Sequence, residues 1–162
     1  LDIQGAYDHV RHIGLLHKLM KLRVSAPLIG WIASFLTSRS ARLQVGSAVV
    51  TQHLTMGVPQ GSPLSPILFL VYIQDLLEDL SDIQGVSPQA YADDAIVYWQ
   101  LPRDSSRDTT GTQVAHTLTR WASRWKAQFG LDKCKYMIIG RTRHPPPPFS
   151  LDGTPLECVS SM

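Results

Sequence analysis

Cysteine is scarce in this 162-residue chain, with Cys134 and Cys158 the whole supply. Two cysteines make neither a disulfide framework nor a zinc cluster, so they read as free buried thiols in a reducing compartment. Long apolar runs are missing too. The longest in the middle of the chain, Ile67 to Ile73, is far too short to span a bilayer. No stretch shows the basic start and cleavage site expected of a secretory leader. Acidic charge is absent from a whole tract: no Asp or Glu occurs between Asp8 and Asp75, while Arg11, Lys18, Lys21, Arg23, Arg39 and Arg42 are basic. A second basic stretch runs from Arg120 to Arg143 with Asp132 as its only acid. The net charge of +2 says nothing about partners, but this segregation fits a surface that receives a polyanion beside a small acidic centre. The plainer alternative is a solvated basic face with no partner.

What is present is the composition of a globular domain, 44% hydrophobic and 17% charged. The length suffices to bury a core. A chain that opens on Leu-Asp and stops at Ser-Ser-Met, directly after an apparent strand, is expected to be a piece of something longer. Val10, Ile13, Leu16, Leu19 and Met20 recur at helical spacing, with His12, His17, Lys18 and Lys21 largely on other faces. Ser25 is placed to cap a second helix with Pro27 in its first turn and Ile29, Ile32, Ala33 and Leu36 along it. "SARLQVGSAVVTQHLTMG" reads as two strands around Gly46-Ser47. From Ser62 or Ser65, "PILFLVYIQDLLEDL" is a helix apolar almost all round at its start, as a core helix is.

A loop from Pro102 to Gly111 precedes a helical stripe of Val114, Leu118, Trp121, Ala122, Trp125 and Phe129, whose tryptophans read as core packing. "CKYMIIG" reads as a strand, "HPPPPF" as a stiff connector, and "SLDGTPLECV" as a hairpin turning at Asp152-Gly153. The order of elements gives an α+β or α/β layered domain.

Three features ask for more than packing. "AYADDAIVYWQ" reads as a buried strand pair, Gln89 to Ala92 and Ala95 to Trp99, meeting at a turn that holds Asp93 and Asp94. Aspartate is a common turn residue, yet that accounts for one of the two, and adjacent carboxylates raise each other's cost of ionising. A divalent cation removes that cost. Asp2 lies in apolar company near the start, while Asp8 is explained as a helix cap or N-terminal charge. "GVPQGSPLSP", Gly57 to Pro66, has two glycines and three prolines, which fix a backbone shape. Glycine there lets another chain come close, and Gln60 and Ser62 can hydrogen-bond it.

"LDIQGAYD", "GVPQGSPLSPILFLVYIQDL" and "YADD", in this order and at these separations, resemble motifs A, B and C of reverse transcriptases, in particular those of non-LTR retrotransposons. "FGLDKCKYMIIGR" resembles motif D, and "SLDGTPLECV" the strand pair leading to motif E. The likeness runs from Asp2 to about Val159. It implies an α+β polymerase palm, a small antiparallel sheet with helices packed on one face, as a single partial domain over 1–162 without fingers or thumb. It implies RNA-directed DNA polymerisation: two-metal nucleotidyl transfer from a dNTP onto a primer 3′-hydroxyl, with pyrophosphate departing.

By resemblance, Asp2 and Asp93 would hold two Mg²⁺ ions, with Mn²⁺ as a substitute. Asp94 would assist, and the Ile3 carbonyl would complete one coordination shell. Tyr7, five residues after Asp2, matches the steric gate against a ribose 2′-hydroxyl, its plain alternative being a core tyrosine. Gln60 and Gly61 match contacts to the incoming nucleotide and template. Lys133 matches a motif D lysine near the triphosphate, with Lys135 close enough to leave that choice open. Ser62, Tyr91 and Ala92 fall on the primer–template side. The partners implied are an RNA template, a DNA primer, dNTPs and the fingers and thumb of a parent polyprotein, in cytoplasm and nucleus and not in a membrane.

The isolated fragment is expected to have little or no activity, because triphosphate and duplex would lack their clamps. Two rival readings stay open. One is an inactive retroelement relic or nucleic-acid-binding module that keeps the fold, against which the presence of Asp2, Tyr7, Gln60, Asp93 and Asp94 together counts. The other is an RNA-dependent RNA polymerase palm, disfavoured by Tyr7 and by "YADD" in place of Gly-Asp-Asp.

Overall fold

A computed structural model describes residues 1–102, 104, 109–140 and 146–159. The middle of the Pro102–Gly111 loop, the start of the "HPPPPF" connector, and Arg141 and Arg143 of the second basic stretch lie outside the described residues. The chain falls into two compact units, Gly5–Tyr72 and Leu1–Gln4 with Ile73–Met162. Among the described residues there are four helices and four two-stranded sheets, an α+β chain. No helix among the described residues is long and apolar enough to cross a membrane.

The Gly5–Tyr72 unit holds α1 (His12–Lys21), α2 (Ala26–Leu36), the hairpin β1 (Arg39–Val45) and β2 (Ala48–Leu54), and the first half of α3 (Leu64–Ser81). Its core is Val10, Leu15, Leu19, Ile32, Leu36, Val58, Leu68, Phe69 and Tyr72. Periodicity predicts Ile13 and Met20 on the inner face of α1, but they are 86% and 56% exposed, while His12 and Lys18 are buried. The reason lies in partners that periodicity cannot see. His12 donates from Nε2 to the Gly57 carbonyl at 2.8 Å. Lys18 Nζ donates to the Tyr72 carbonyl and lies 4.7 Å from the centre of the Tyr72 ring. A polar group with an internal partner can be buried at little cost, and a lysine stem is itself apolar.

In α2, Ser25 occupies the cap position without a side-chain bond, and Pro27 lies in the first turn. Only Ile32 and Leu36 of this helix are buried. The β1–β2 hairpin turns at Gly46-Ser47 as expected, with Gly46 at φ 60°. All its strand residues are exposed except Arg39, which is half-buried.

The other unit contains the rest of α3, the hairpin β3 (Val86–Tyr91) and β4 (Asp94–Trp99), and α4 (Thr110–Trp125). It also holds the short strands β5 (Lys135–Tyr136), β6 (Ser150–Leu151), β7 (Thr154–Pro155) and β8 (Glu157–Cys158). The α4 stripe is buried through Val114, Leu118, Trp121 and Ala122. The helix stops at Lys126, which is left-handed at φ 57°, so Phe129 lies beyond it.

The predicted core tryptophans carry polar ends as well. Trp121 Nε1 and Trp125 Nε1 donate to the two oxygens of Asp75 at 2.8 and 2.9 Å. The β6–β7 turn is Asp152-Gly153, both residues at positive φ as a type I′ turn requires. "CKYMIIG" gives only the two-residue β5, paired in parallel with β8. Opposite each other there, Cys158 is exposed rather than buried, and the Tyr136 phenol is raised above its ordinary value by burial and by Cys158.

Candidate active site

The β3–β4 register runs from Val86↔Trp99 to Tyr91↔Asp94 and leaves Ala92-Asp93 as the turn. The aspartate doublet is therefore split: Asp93 is in the turn and Asp94 opens the strand. The difference from the sequence expectation has a neighbour as its cause. Asp94 is bridged on its other side by Asp2, antiparallel, and the Ala95 N–H donates to the Leu1 carbonyl at 3.4 Å. A strand residue with partners on both sides cannot also serve the turn. Ala92 takes the left-handed place instead, at φ 54°, a conformation that costs a non-glycine residue about 1–2 kcal/mol.

Nor is the hairpin buried as expected. Asp93 and Asp94 are both exposed, with Tyr91 at 86% and Ile96 at 57%, while Val86 and Ala95 face the core. Water weakens the repulsion between the adjacent carboxylates, so burial is not what makes the doublet costly.

Residues directly opposite in an antiparallel pair send their side chains to the same face. Asp2 and Asp94 are such a pair, with Asp93 next in the chain. On the far side of Asp2, Ile3 bridges Phe129, through Gly130 N–H to the Asp2 carbonyl at 3.0 Å and Gln4 N–H to the Gln128 carbonyl at 2.8 Å. That pairing does not spend the Ile3 carbonyl. Three carboxylates and a backbone carbonyl are hard oxygen donors of the kind Mg²⁺ takes. The donor chemistry and the register fit such an ion. Among the described residues, no three His, Cys, Asp or Glu side chains already converge at metal-holding geometry.

In the Gly5–Tyr72 unit, Tyr7, Gln60, Gly61, Ser62, Pro63, Ser65 and Pro66 line a cleft of about 400 Å³. The four residues singled out from the sequence, Tyr7, Gln60, Gly61 and Ser62, share it. Gly57 makes this possible. It lies at φ 84°, and a Cβ there would lie 2.8 Å from the Asp8 carbonyl oxygen and 3.1 Å from the Tyr7 one. The approaching chain that this glycine admits is the segment bearing Tyr7 and Asp8. It is held by Gly57 N–H to the Val10 carbonyl and Val58 N–H to the Tyr7 carbonyl, both at 2.8 Å.

Gln60 Nε2 donates to Asp8 Oδ1 at 3.0 Å. Asp8 therefore does not cap α1, which starts at His12 with Arg11 in the cap position; it orients the Gln60 amide, a role with no local sequence signal. The Tyr7 ring packs 5.3 Å from Phe69, and Ser62 Oγ accepts from the Leu64 N–H at 3.3 Å as α3 begins. Elsewhere in the chain, Lys133 is exposed on the turn that follows Gly130. Lys135 is paired with Glu157 at 2.9 Å.

Comparison with known proteins adds to this geometry. The family described as "Reverse transcriptase (RNA-dependent DNA polymerase)" matches residues 1–154. The chain is 32% identical over 158 residues to the "Probable RNA-directed DNA polymerase from transposon X-element" of Drosophila melanogaster, covering 96% of this chain and 17% of that protein. It is 31% identical over 158 residues to the "RNA-directed DNA polymerase from mobile element jockey" of the same species, covering 94% and 17%. A "Retrovirus-related Pol polyprotein from type-1 retrotransposable element R2" of Popillia japonica is 29% identical over 107 residues, covering 60% of this chain and 18% of that one. The chain thus spans less than a fifth of the length of these relatives. One chain of a solved structure, the "Partial Cas6-RT-Cas1--Cas2 complex", overlaps 78% of this chain and 22% of its own length at 25% identity and a TM-score of 0.37, too loosely to define the fold by.

Proposed function

The chain belongs to the reverse transcriptase family, and from that premise we propose that it is the palm core of a non-LTR retrotransposon RNA-directed DNA polymerase. The parent would transfer the nucleotidyl group of a dNTP to a primer 3′-hydroxyl, releasing pyrophosphate, directed by an RNA template, in the compartments where that template is found. The observation that carries this reading is the pairing of Asp2 with Asp94, two acids 92 residues apart in sequence, beside the Asp93 turn.

In this reading Asp2 and Asp93 hold two Mg²⁺ ions, with Asp94 assisting and the Ile3 carbonyl as a further ligand. When bound, such ions make a hydroxyl a better nucleophile at neutral pH and neutralise charge on a triphosphate. The chain's own groups supply position, which is most of what phosphoryl transfer asks of a protein. The Tyr7 ring would lie under the sugar and select against a 2′-hydroxyl. Gln60, its amide turned by Asp8, and Gly61 meet nucleotide and template, with Ser62 beside them. Lys133, free of the pairing that occupies Lys135, is the better cation for the triphosphate. Tyr91 and Ala92 meet the primer end.

The test is Asp93→Asn in a full-length parent, assayed for Mg²⁺-dependent primer extension on RNA. Extension is expected to disappear. Extension near the unmutated rate would mean that the acidic group does something else.

A further inference from the structure

The polar groups of the Asp2 backbone are met by one turn, Gly130 to Cys134. The Asp2 N–H donates to the Cys134 sulfur at 3.2 Å. The Asp2 carbonyl accepts from the Gly130 N–H at 3.0 Å and from the Cys134 thiol at 3.6 Å. The turn closes on itself through the Lys133 and Cys134 N–H groups, which donate to the Gly130 carbonyl at 2.9 and 2.8 Å. The Asp2 side chain meets the same turn. A Cβ on Gly130 would lie 2.5 Å from Asp2 Oδ2 and 3.4 Å from its Cγ. Gly130 is not in the left-handed region, so its backbone does not ask for glycine; the room taken by the carboxylate does. Gly130 is buried and Cys134 is 1% exposed, so water does not stand in for the thiol.

We propose that this turn is a seat that aims the Asp2 carboxylate, and that Gly130 and Cys134 are positioning residues that set the metal affinity of the acidic centre. The inference rests on the reading of Asp2 as a metal-holding group. Loss of a group that orients a metal ligand from behind typically costs about 10- to 100-fold in metal affinity. A methyl group at position 130 would take the place of the Asp2 carboxylate, the movable end of a short side chain, and turn it off the seat. The strand pairing stays, so the effect falls on binding and not on folding.

The experiment is a Mn²⁺ titration of the 162-residue chain followed by electron paramagnetic resonance, with the thermal midpoint of each variant read by circular dichroism. Gly130→Ala is expected to weaken Mn²⁺ binding about 10- to 100-fold with little change in midpoint. Cys134→Val, which removes both sulfur contacts, is expected to shift affinity in the same direction, and Cys134→Ser, which keeps a donor and an acceptor, to recover much of it. Asp2→Asn separates the two layers of the claim. If Asp2→Asn weakens binding while folded Gly130→Ala and Cys134→Val bind like the parent chain, the seat is overturned and the role of Asp2 stands. If Asp2→Asn binds unchanged, or the parent chain binds no Mn²⁺, the metal reading fails and the seat with it. Should Gly130→Ala not fold, the cysteine pair decides alone, and equal affinities for Val and Ser overturn the proposal.

Discussion

Single residues do most of the positioning in both units, and two of them are held in left-handed backbone for opposite reasons. Gly57 has a conformation and a neighbour that both demand glycine: φ 84° and the Asp8 carbonyl where a Cβ would be. Gly57→Ala is expected to cost about 2 kcal/mol or more in urea unfolding, and to loosen Tyr7 and Gln60 together. Ala92 has the conformation without the glycine. Ala92→Gly is expected to stabilise the chain by up to about 1 kcal/mol, the left-handed strain relieved less the extra freedom glycine gains when unfolded; a lower thermal midpoint would contradict the turn as described. Gly57 was legible, since a glycine in a proline-rich string announces close approach, although the sequence could not say that the visitor was the chain's own Tyr7–Asp8 segment. Ala92 was not legible. Local turn chemistry favours aspartate over alanine at such a place, and the deciding partner, Asp2, is remote in sequence.

At the scale of elements, helices were read well where their faces are purely apolar and badly where a polar residue finds a partner inside. The α4 stripe was plain from its spacing. The inward face of α1 was not, because the bonds of His12 to Gly57 and Lys18 to Tyr72 turn two polar residues into core. Between α3 and α4 the Asp75 carboxylate takes both indole N–H groups. Removing it leaves two donors without their acceptor, one on the 1%-exposed Trp121. Asp75→Ala is expected to destabilise by about 2 kcal/mol in denaturant unfolding, with a change in tryptophan emission, whereas loss of an exposed carboxylate is close to neutral. The aspartate doublet was legible as an oddity, and its supporting shell was not. Neither Gly130 nor Cys134 carries any local sign of contact with a residue more than a hundred positions away.

Charge is the property that organises the whole molecule. Residues 5–72 contain six Lys and Arg and one acid, Asp8, while the remaining residues contain nine and twelve. The first basic tract thus falls in one unit, while the second, from Arg120 to Arg143, shares the other unit with most of the acids, and the basic set is smaller than a count suggests. Lys18 is buried on Tyr72, Arg39 donates to the Leu36, Met56 and Gly57 carbonyls, and Arg120 pairs with Asp79. Arg11, Lys21, Arg23 and Arg42 are left exposed. Binding of a primer–template duplex is expected to weaken steeply with salt, and Lys21→Ala with Arg23→Ala to lower the slope of log affinity against log salt by about 2. Filter binding across a salt series checks this, and a flat dependence would rule out the polyanion surface.

The bare β1–β2 hairpin has a practical consequence. Leu43 and Val50 face each other across it at 67% and 64% exposure, and a two-stranded ribbon in water is barely self-supporting. Its edges, which pair with no other strand among the described residues, offer backbone amides to any other copy that drifts by. Concentrated stocks are therefore expected to cloud on standing, and Leu43→Lys with Val50→Lys to keep them clear by light scattering. Whoever purifies this chain will find that its shelf life is decided by fourteen strand residues that include none of the acids of the candidate site.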